Sequence, residues 1–219
     1  MIKTHQLFDL SRTLAAPLLE KTEYPWEALD AIKALILALG PSLPADAYEQ
    51  IGEHIWIARD AIIFPNNYIA GPCIIGHQTE VRPGAFIRGS ALIGDRCVVG
   101  NSTEIKNAIL FDSVQAPHFN YVGDSILGYH SHLGAGAVTS NVKGDQSSVS
   151  VRFGDQCIQT GRKKLGAMIG DYGEIGCHAV LNPGTVIGRH ATVYPLSSVR
   201  GTVPENHICK GDRGLFPKK

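Results

Sequence analysis

His118 sits in the stretch "APHFNYVGDSILG", residues 116–128, with Asn120 and Tyr121 beside it. An imidazole titrates near neutrality, so it can take a proton from an attacking group at pH 7. A surface histidine on an irregular coil is the competing reading. Arg82 and Lys106 lie upstream and offer positive charge to an anion, while Arg88 shows that cations here can also be simple solvated charges. "YHSHLG" places His130 and His132 two apart, so that on a strand they would face one side and could bind a metal. Five cysteines are an odd number without paired spacing, which reads as reduced thiols in a cytoplasmic protein.

The elements that position these residues show in a repeat. In "IWIARD AIIFPN NYIAGP CIIGHQ TEVRPG AFIRGS ALIGDR CVVGNS TEIKNA" each block of six carries one aliphatic in phase, from Ile57 and Ile63 through Val99 to Ile105. Two positions earlier the residue is usually small, as at Ala61, Cys73, Thr79, Cys97 and Thr103. One position later it is often glycine. The phase slips at Leu110, Ala116 and Val122, shifts again at Leu127 and Leu133, and returns from Ile169 to Val199. Period six fits neither an amphipathic helix nor a half-buried strand. It fits a parallel β-helix with three short strands per coil of about 18 residues.

Two segments break the beat. "YPWEALDAIKALILALGPSLPADAYEQIG" reads as helix, with Pro25 near its start and Gly40–Pro41 as a stop, and is expected to cap an apolar end of the prism. "SNVKGDQSSVSVRFGDQCIQTGRKK" alternates at Val149, Val151 and Phe153 and turns at a Gly-Asp, which predicts a protruding hairpin. The organisation expected is a helical cap segment over 1–54, a β-helix over 55–205 with the hairpin at about 146–164, and a tail over 206–219. A net charge of zero argues against nucleic acid or anionic membrane as partner. No apolar run approaches the roughly 18 residues of a membrane span, and the amino terminus lacks a clean signal-peptide pattern.

From about residue 80 to 199 the chain resembles the acetyltransferase domain of the bifunctional glucosamine-1-phosphate acetyltransferase / N-acetylglucosamine-1-phosphate uridyltransferases. The words that carry the likeness are "VRPGA" (81–85), "TEIKNAIL" (103–110), "APHFNYVGDSILG" (116–128), "LGAGAVTSN" (133–141) and "IGDYGEIGCHAVLNPGTVIG" (169–188). The resemblance implies a left-handed hexapeptide β-helix. It also implies a homotrimer with clefts between prisms, and acetyl-CoA as co-substrate with no tightly bound cofactor and no metal. The acceptor implied is an amino sugar phosphate such as glucosamine-1-phosphate. His118 falls on the family's catalytic base. Arg82 and Lys106 fall on the cations that hold the sugar phosphate, and Tyr121 on a substrate-binding tyrosine. Ala135 falls where a backbone N–H meets the thioester carbonyl, Asn141 and Val142 where the pantetheine and base are positioned, and Cys177 and Pro195 on the remaining cofactor positions.

Departures accompany the likeness. His132 stands where the family has a substrate-contacting asparagine, and Cys177 replaces a serine, either as a buried filler or as a thiol. Lys163 or Lys164 can stand in for a loop lysine, and Arg213 for a cofactor-binding arginine. The uridyltransferase domain has no counterpart in this sequence. Three rival readings remain. One is a zinc lyase, for which neither 118/130/132 nor 178/190 gives the His-x-x-x-x-His spacing such trimers use. The others are a non-catalytic sugar-phosphate sensor or scaffold, and a sugar O-acetyltransferase.

Overall fold

A computed structural model of the chain describes residues 2–218. Short strands stack in parallel into a three-faced prism. The first face runs from Ile55–Ala58 through Cys73–Ile75 and Ala91–Ile93 to Ala167–Ile169, Thr185–Ile187 and Thr202–Val203. The second is a nine-stranded sheet that includes Glu80–Val81, Val98–Asn101, Gln115–His118, His132–Leu133, Glu174–Ile175 and Thr192–Val193. The third carries Phe86–Ile87, Val138–Thr139, Val180–Leu181 and Ser198–Val199. The aliphatics in phase from Ile75 to Val199 are buried and stack coil on coil. Ile63, 37% exposed, and the half-buried Ile69 are the exceptions. They belong to the first coil, whose second-face and third-face strands each have a neighbour on one side only.

The slip in the beat has a local cause. Ile75 pairs with Ile93, a step of 18 residues, whereas Ile93 pairs with Leu110 and Leu110 with Leu127, steps of 17. The missing residue is at the corner between the third and first faces. There Glu104–Leu110 and Tyr121–Leu127 run on as single strands, turning through Asn107 and Asp124 at positive φ. The inserted segment leaves from the same corner and forms an antiparallel hairpin, Ser150–Phe153 with Gln156–Gln159.

The amino-terminal segment is helical as expected, but its form and place differ from a single cap on the end. It is a 3-10 helix at Pro25–Ala31, an α-helix at Ile32–Leu39 and a 3-10 turn at Gly40–Ser42. These lie along the first face, against the strands at 91–93 and 104–110. That face therefore needs apolar residues on both sides. Ile74, Leu92, Ile109, Ile126, Met168 and Val186 are buried although they point away from the prism core. Trp56 lies so close to Gly40 that no Cβ fits there. Leu7 and Arg12 accept backbone bonds from Asp171 and Asp112, which fastens the segment along the coils. The sheet edges at the two ends are closed by antiparallel strands, Tyr48–Gly52 on the first coil and Leu215–Pro217 on the last. Burial pushes the thiols of Cys73 and Cys97, inside the repeat, up to about 12, so they are inert filler. Among the described residues no helix is long and apolar enough to cross a membrane, which says nothing of strands.

Candidate active site

Register alone brings four of the singled-out residues to one edge. His118 pairs with Asn101, and the pairs Ala116–Val99, Leu133–Ile175 and Ile175–Val193 carry the same offset up the second face. Asn101, His118, Ala135, Cys177 and Pro195 therefore form a column at the corner between the second and third faces. Backbone bonds tie that column coil to coil. Phe119 donates to Asn101 O (2.8 Å), Gly136 to His118 O (3.0 Å), His178 to Ala135 O (2.8 Å) and Leu196 to Cys177 O (2.9 Å). Each donor has positive φ, which turns the chain sharply and leaves the column residue on the outside. At Gly136 a side chain would also overlap the His178 ring.

His118, Ala135, Cys177, Arg82 and His132 line one open cavity of about 380 Å³. The Ala135 N–H makes no hydrogen bond among the described residues, so a backbone donor points free beside an imidazole. The His118 ring is likewise unpartnered there, but its backbone is fixed. Asn120, 3% exposed, accepts the His118 N–H at Oδ1 (3.1 Å) and donates from Nδ2 to Gly134 O (2.9 Å) and Ala137 O (3.0 Å). It thus ties the His118 backbone to the loop that carries the Ala135 amide. Arg82 shares its charge with Glu80 (3.2 Å), and His132 Nδ1 lies 3.1 Å from Glu174.

Lys106, Tyr121 and Asn141 assemble at the other end of the third face, around a buried carboxylate. Asp124 receives Lys106 Nζ (3.2 Å), Asn107 Nδ2 (2.8 Å) and Asn141 Nδ2 (2.5 Å). Tyr121 starts three residues after His118, yet its ring lies over Gly123 and its hydroxyl accepts from Asn141 Nδ2 (3.1 Å). The Tyr121 phenol is raised, chiefly by burial and then by Asp124 and Glu104. Tyr121 thus follows His118 closely in sequence but spends its side chain on the Asp124 cluster. Val142 is exposed where the insertion departs. Lys163 and Lys164 both border a second cavity, of about 370 Å³, shared with Asn107 and Asp124.

Two expectations are corrected by this geometry. Cys177 is exposed, so it is not a buried filler. His130 and His132 do not face one side of a strand. His132 is on the strand, while His130 sits at a positive-φ corner and stacks on Tyr172. Among the described residues no three His, Cys, Asp or Glu side chains gather to hold a metal. Arg213 lies in the turn Gly211–Arg213, which packs on Ser197 at the last coil. Lys210, in register with Tyr194, has its Nζ 5.2 Å from that ring and is a second cation at this end.

The sequence alone does not single out Asp124, Glu174 or Lys210, and it gives Asn120 no role. Asn120 was findable. It occupies the small-residue position filled by Thr103, Ala137, Ala179 and Ser197 in other coils, where an amide has no packing reason to be.

Comparison with known proteins agrees with the fold. A family model described as the GMPPB C-terminal domain matches residues 69–163. The chain is 32% identical over 190 residues to the bifunctional sugar-1-phosphate nucleotidylyltransferase/acetyltransferase of Sulfurisphaera tokodaii, covering 85% of this chain and 47% of that protein. It thus spans about half the length of such bifunctional relatives. It is 31% identical over 170 residues to YaiX of Escherichia coli, named as an uncharacterized acetyltransferase, covering 69% of this chain and 73% of that one. Among solved structures, the Francisella novicida UDP-N-acetylglucosamine acyltransferase aligns with a TM-score of 0.49 at 17% identity, over 76% of this chain and 67% of that one. On this identity and coverage, the chain belongs to the hexapeptide-repeat acetyltransferases of left-handed β-helix fold.

Proposed function

We propose that the chain is an acetyl-CoA-dependent N-acetyltransferase that acts on an amino sugar phosphate, with His118 as general base. The observation that carries this reading is the corner column, in which an unpaired Ala135 amide follows an unpartnered imidazole with Cys177 and Pro195 beyond. An ammonium cannot attack a thioester, so the acceptor reacts as the free amine. The imidazole takes a proton from its nitrogen as the C–N bond forms, and the C–S bond then breaks, the imidazolium returning a proton to the departing CoA thiolate. The fixed Ala135 N–H donates to the carbonyl oxygen as negative charge develops on it, and it needs no reorganisation to do so. The co-substrate runs along the column past Cys177 and Pro195, with Asn141 and Val142 at the neighbouring corner.

Arg82, in the same cavity, holds the acceptor's phosphate, and His132 with Glu174 meets its hydroxyls. Lys106 and Asn141 stand across the third face, where Asp124 binds both and Tyr121 accepts from Asn141. A homotrimer would bring one prism's corner against the next and close a cavity that is open in a single chain. Sedimentation of the purified protein tests the trimer.

The reaction is tested by CoA release from acetyl-CoA with a panel of amino sugars and their phosphates, on wild type beside His118→Ala. Turnover that requires the phosphorylated amine and falls about 10² to 10⁴-fold in the variant is the expected result. A folded protein that binds the sugar phosphate without turning over any acceptor would leave a sensor or scaffold instead.

A further inference from the structure

Away from the His118 column, Lys143, Arg152 and Arg200 line a cleft of about 520 Å³ between the inserted hairpin and the last coils. They come from three separate segments: the start of the insertion, the strand Ser150–Phe153, and the turn after Ser198–Val199. No Asp or Glu lines the cleft. Among the described residues none of the three cations forms an ion pair. Lys143 Nζ does donate to Ser147 Oγ (2.7 Å) and Ser148 O (3.4 Å).

The walls are built rather than loose. Val149 and Val151 are fully buried, so Arg152, between Val151 and Phe153 on the strand, faces outward. Thr202 Oγ1 donates to Arg152 O (2.6 Å) and pins the hairpin to the coil that carries Arg200. Gly201 at positive φ keeps the turn free of a side chain. Asp145, which shares Ser147 with Lys143, offsets part of that charge, but among the described residues Arg152 and Arg200 pair with no carboxylate. Like charges so gathered repel one another, and an anion between them removes that repulsion. Guanidinium groups on fixed backbone match phosphate oxygens in fork geometry.

We infer that this cleft is a binding site for a phosphorylated small molecule carrying a diphosphate or two phosphoryl groups. The charge of three cations exceeds what a simple carboxylate would balance. The concave shape and volume suit a small ligand rather than a membrane or a nucleic-acid duplex. The site lies at the corner between the third and first faces, across the third face from the His118 column, so its occupant need not be the reacting acceptor. The phosphates can come from a CoA-type nucleotide or from a separate phosphorylated metabolite.

Calorimetric titration of the full chain with pyrophosphate, without acetyl-CoA, tests this independently of turnover. One pyrophosphate per chain is expected, with orthophosphate weaker. Arg152→Ala/Arg200→Ala should weaken binding about a hundredfold or more, about tenfold for each charge-assisted hydrogen bond removed. Arg200→Lys, which keeps the charge but loses the fork, should bind between wild type and the double variant, and thermal melts of both variants should match wild type. Displacement by adenosine 3′,5′-bisphosphate supports the site and assigns its phosphates to a nucleotide. Retention under saturating bisphosphate supports it with a separate ligand. No pyrophosphate binding, or equal binding by the double variant, overturns the inference.

Discussion

Replacing Asn120 by alanine should damage stability and turnover together, because one amide serves both. The change removes two bonds donated by Nδ2, to Gly134 O and Ala137 O, and leaves the His118 N–H without its acceptor. Gly134 O keeps a bond from the Ala137 N–H (3.1 Å), so its loss is partial. A buried group left unpaired costs about 1–3 kcal/mol, and here the His118 N–H and the Ala137 carbonyl lose the partner shown for them while the Gly134 carbonyl loses one of two. About 2–4 kcal/mol in all is expected, or roughly 5–12 °C in Tm for a chain of this size. The corner then relaxes, and a shift near 1 Å between His118 and Ala135 lowers kcat about ten- to a hundredfold. Asn120→Thr tests the reasoning from the other side. Thr103 one coil away donates from Oγ1 to Ala116 O (3.0 Å), so a threonine at 120 should restore one carbonyl bond and part of the stability, but not the acceptor for His118. Urea unfolding and CoA release on the same samples read both effects. An alanine variant that keeps both its stability and its kcat would refute the claim that Asn120 sets this corner.

The other expectations concern a thiol, a buried acid, a hub and a strap. Cys177 should react with a thiol reagent in native protein, and acetyl-CoA should slow that reaction in a Cys157→Ser background, since both thiols are exposed. Burial raises the Asp171 carboxyl above its ordinary 3.8, against the pull of backbone donors and Arg189. The folded state then holds this proton more tightly, so the group's stabilisation is present in acid and is lost as pH rises from 3.8 through the folded value. The stability difference between wild type and Asp171→Asn should shrink over that window, as denaturant melts at a series of pH values would show. Asp124→Ala strands a half-buried Lys106 and frees Asn141. It should cost about 2–4 kcal/mol and raise KM for the acceptor more than Asn107→Ala does. Arg162 clasps Asp30 with two bonds (2.6 and 2.7 Å) between hairpin base and helical flank. Because Asp30 is largely exposed, Asp30→Ala should change global stability by less than about 1 kcal/mol but speed proteolysis in the hairpin.

The coil architecture was legible because one aliphatic per six residues must point inward, and register then follows by counting. That counting also puts Ala135, Cys177 and Pro195 on the His118 edge. What the sequence hid has physical reasons. The helical flank reads from sequence as an end cap because a helix pattern tells which stripe is apolar but not what it packs on. The doubly apolar strands "CII", "ALI" and "AMI" of the first face held the clue that this face is covered. Lys106 and Arg82 look alike as corner cations, yet Lys106 lies four blocks of six further on and so follows a third-face strand, beside Asp124, rather than a second-face one. The one-residue deletion comes just after Lys106, before Ala108, and hides the beat there.

Acetyl transfer on the His118 column is the step on which the proposed function turns, and a crystal structure with bound CoA is its sharpest test. The thiol sulfur is expected beside the Ala135 amide and the His118 imidazole, with the pantetheine rising past Cys177 toward Pro195. A pantetheine along a different corner, with its sulfur remote from His118, would contradict it.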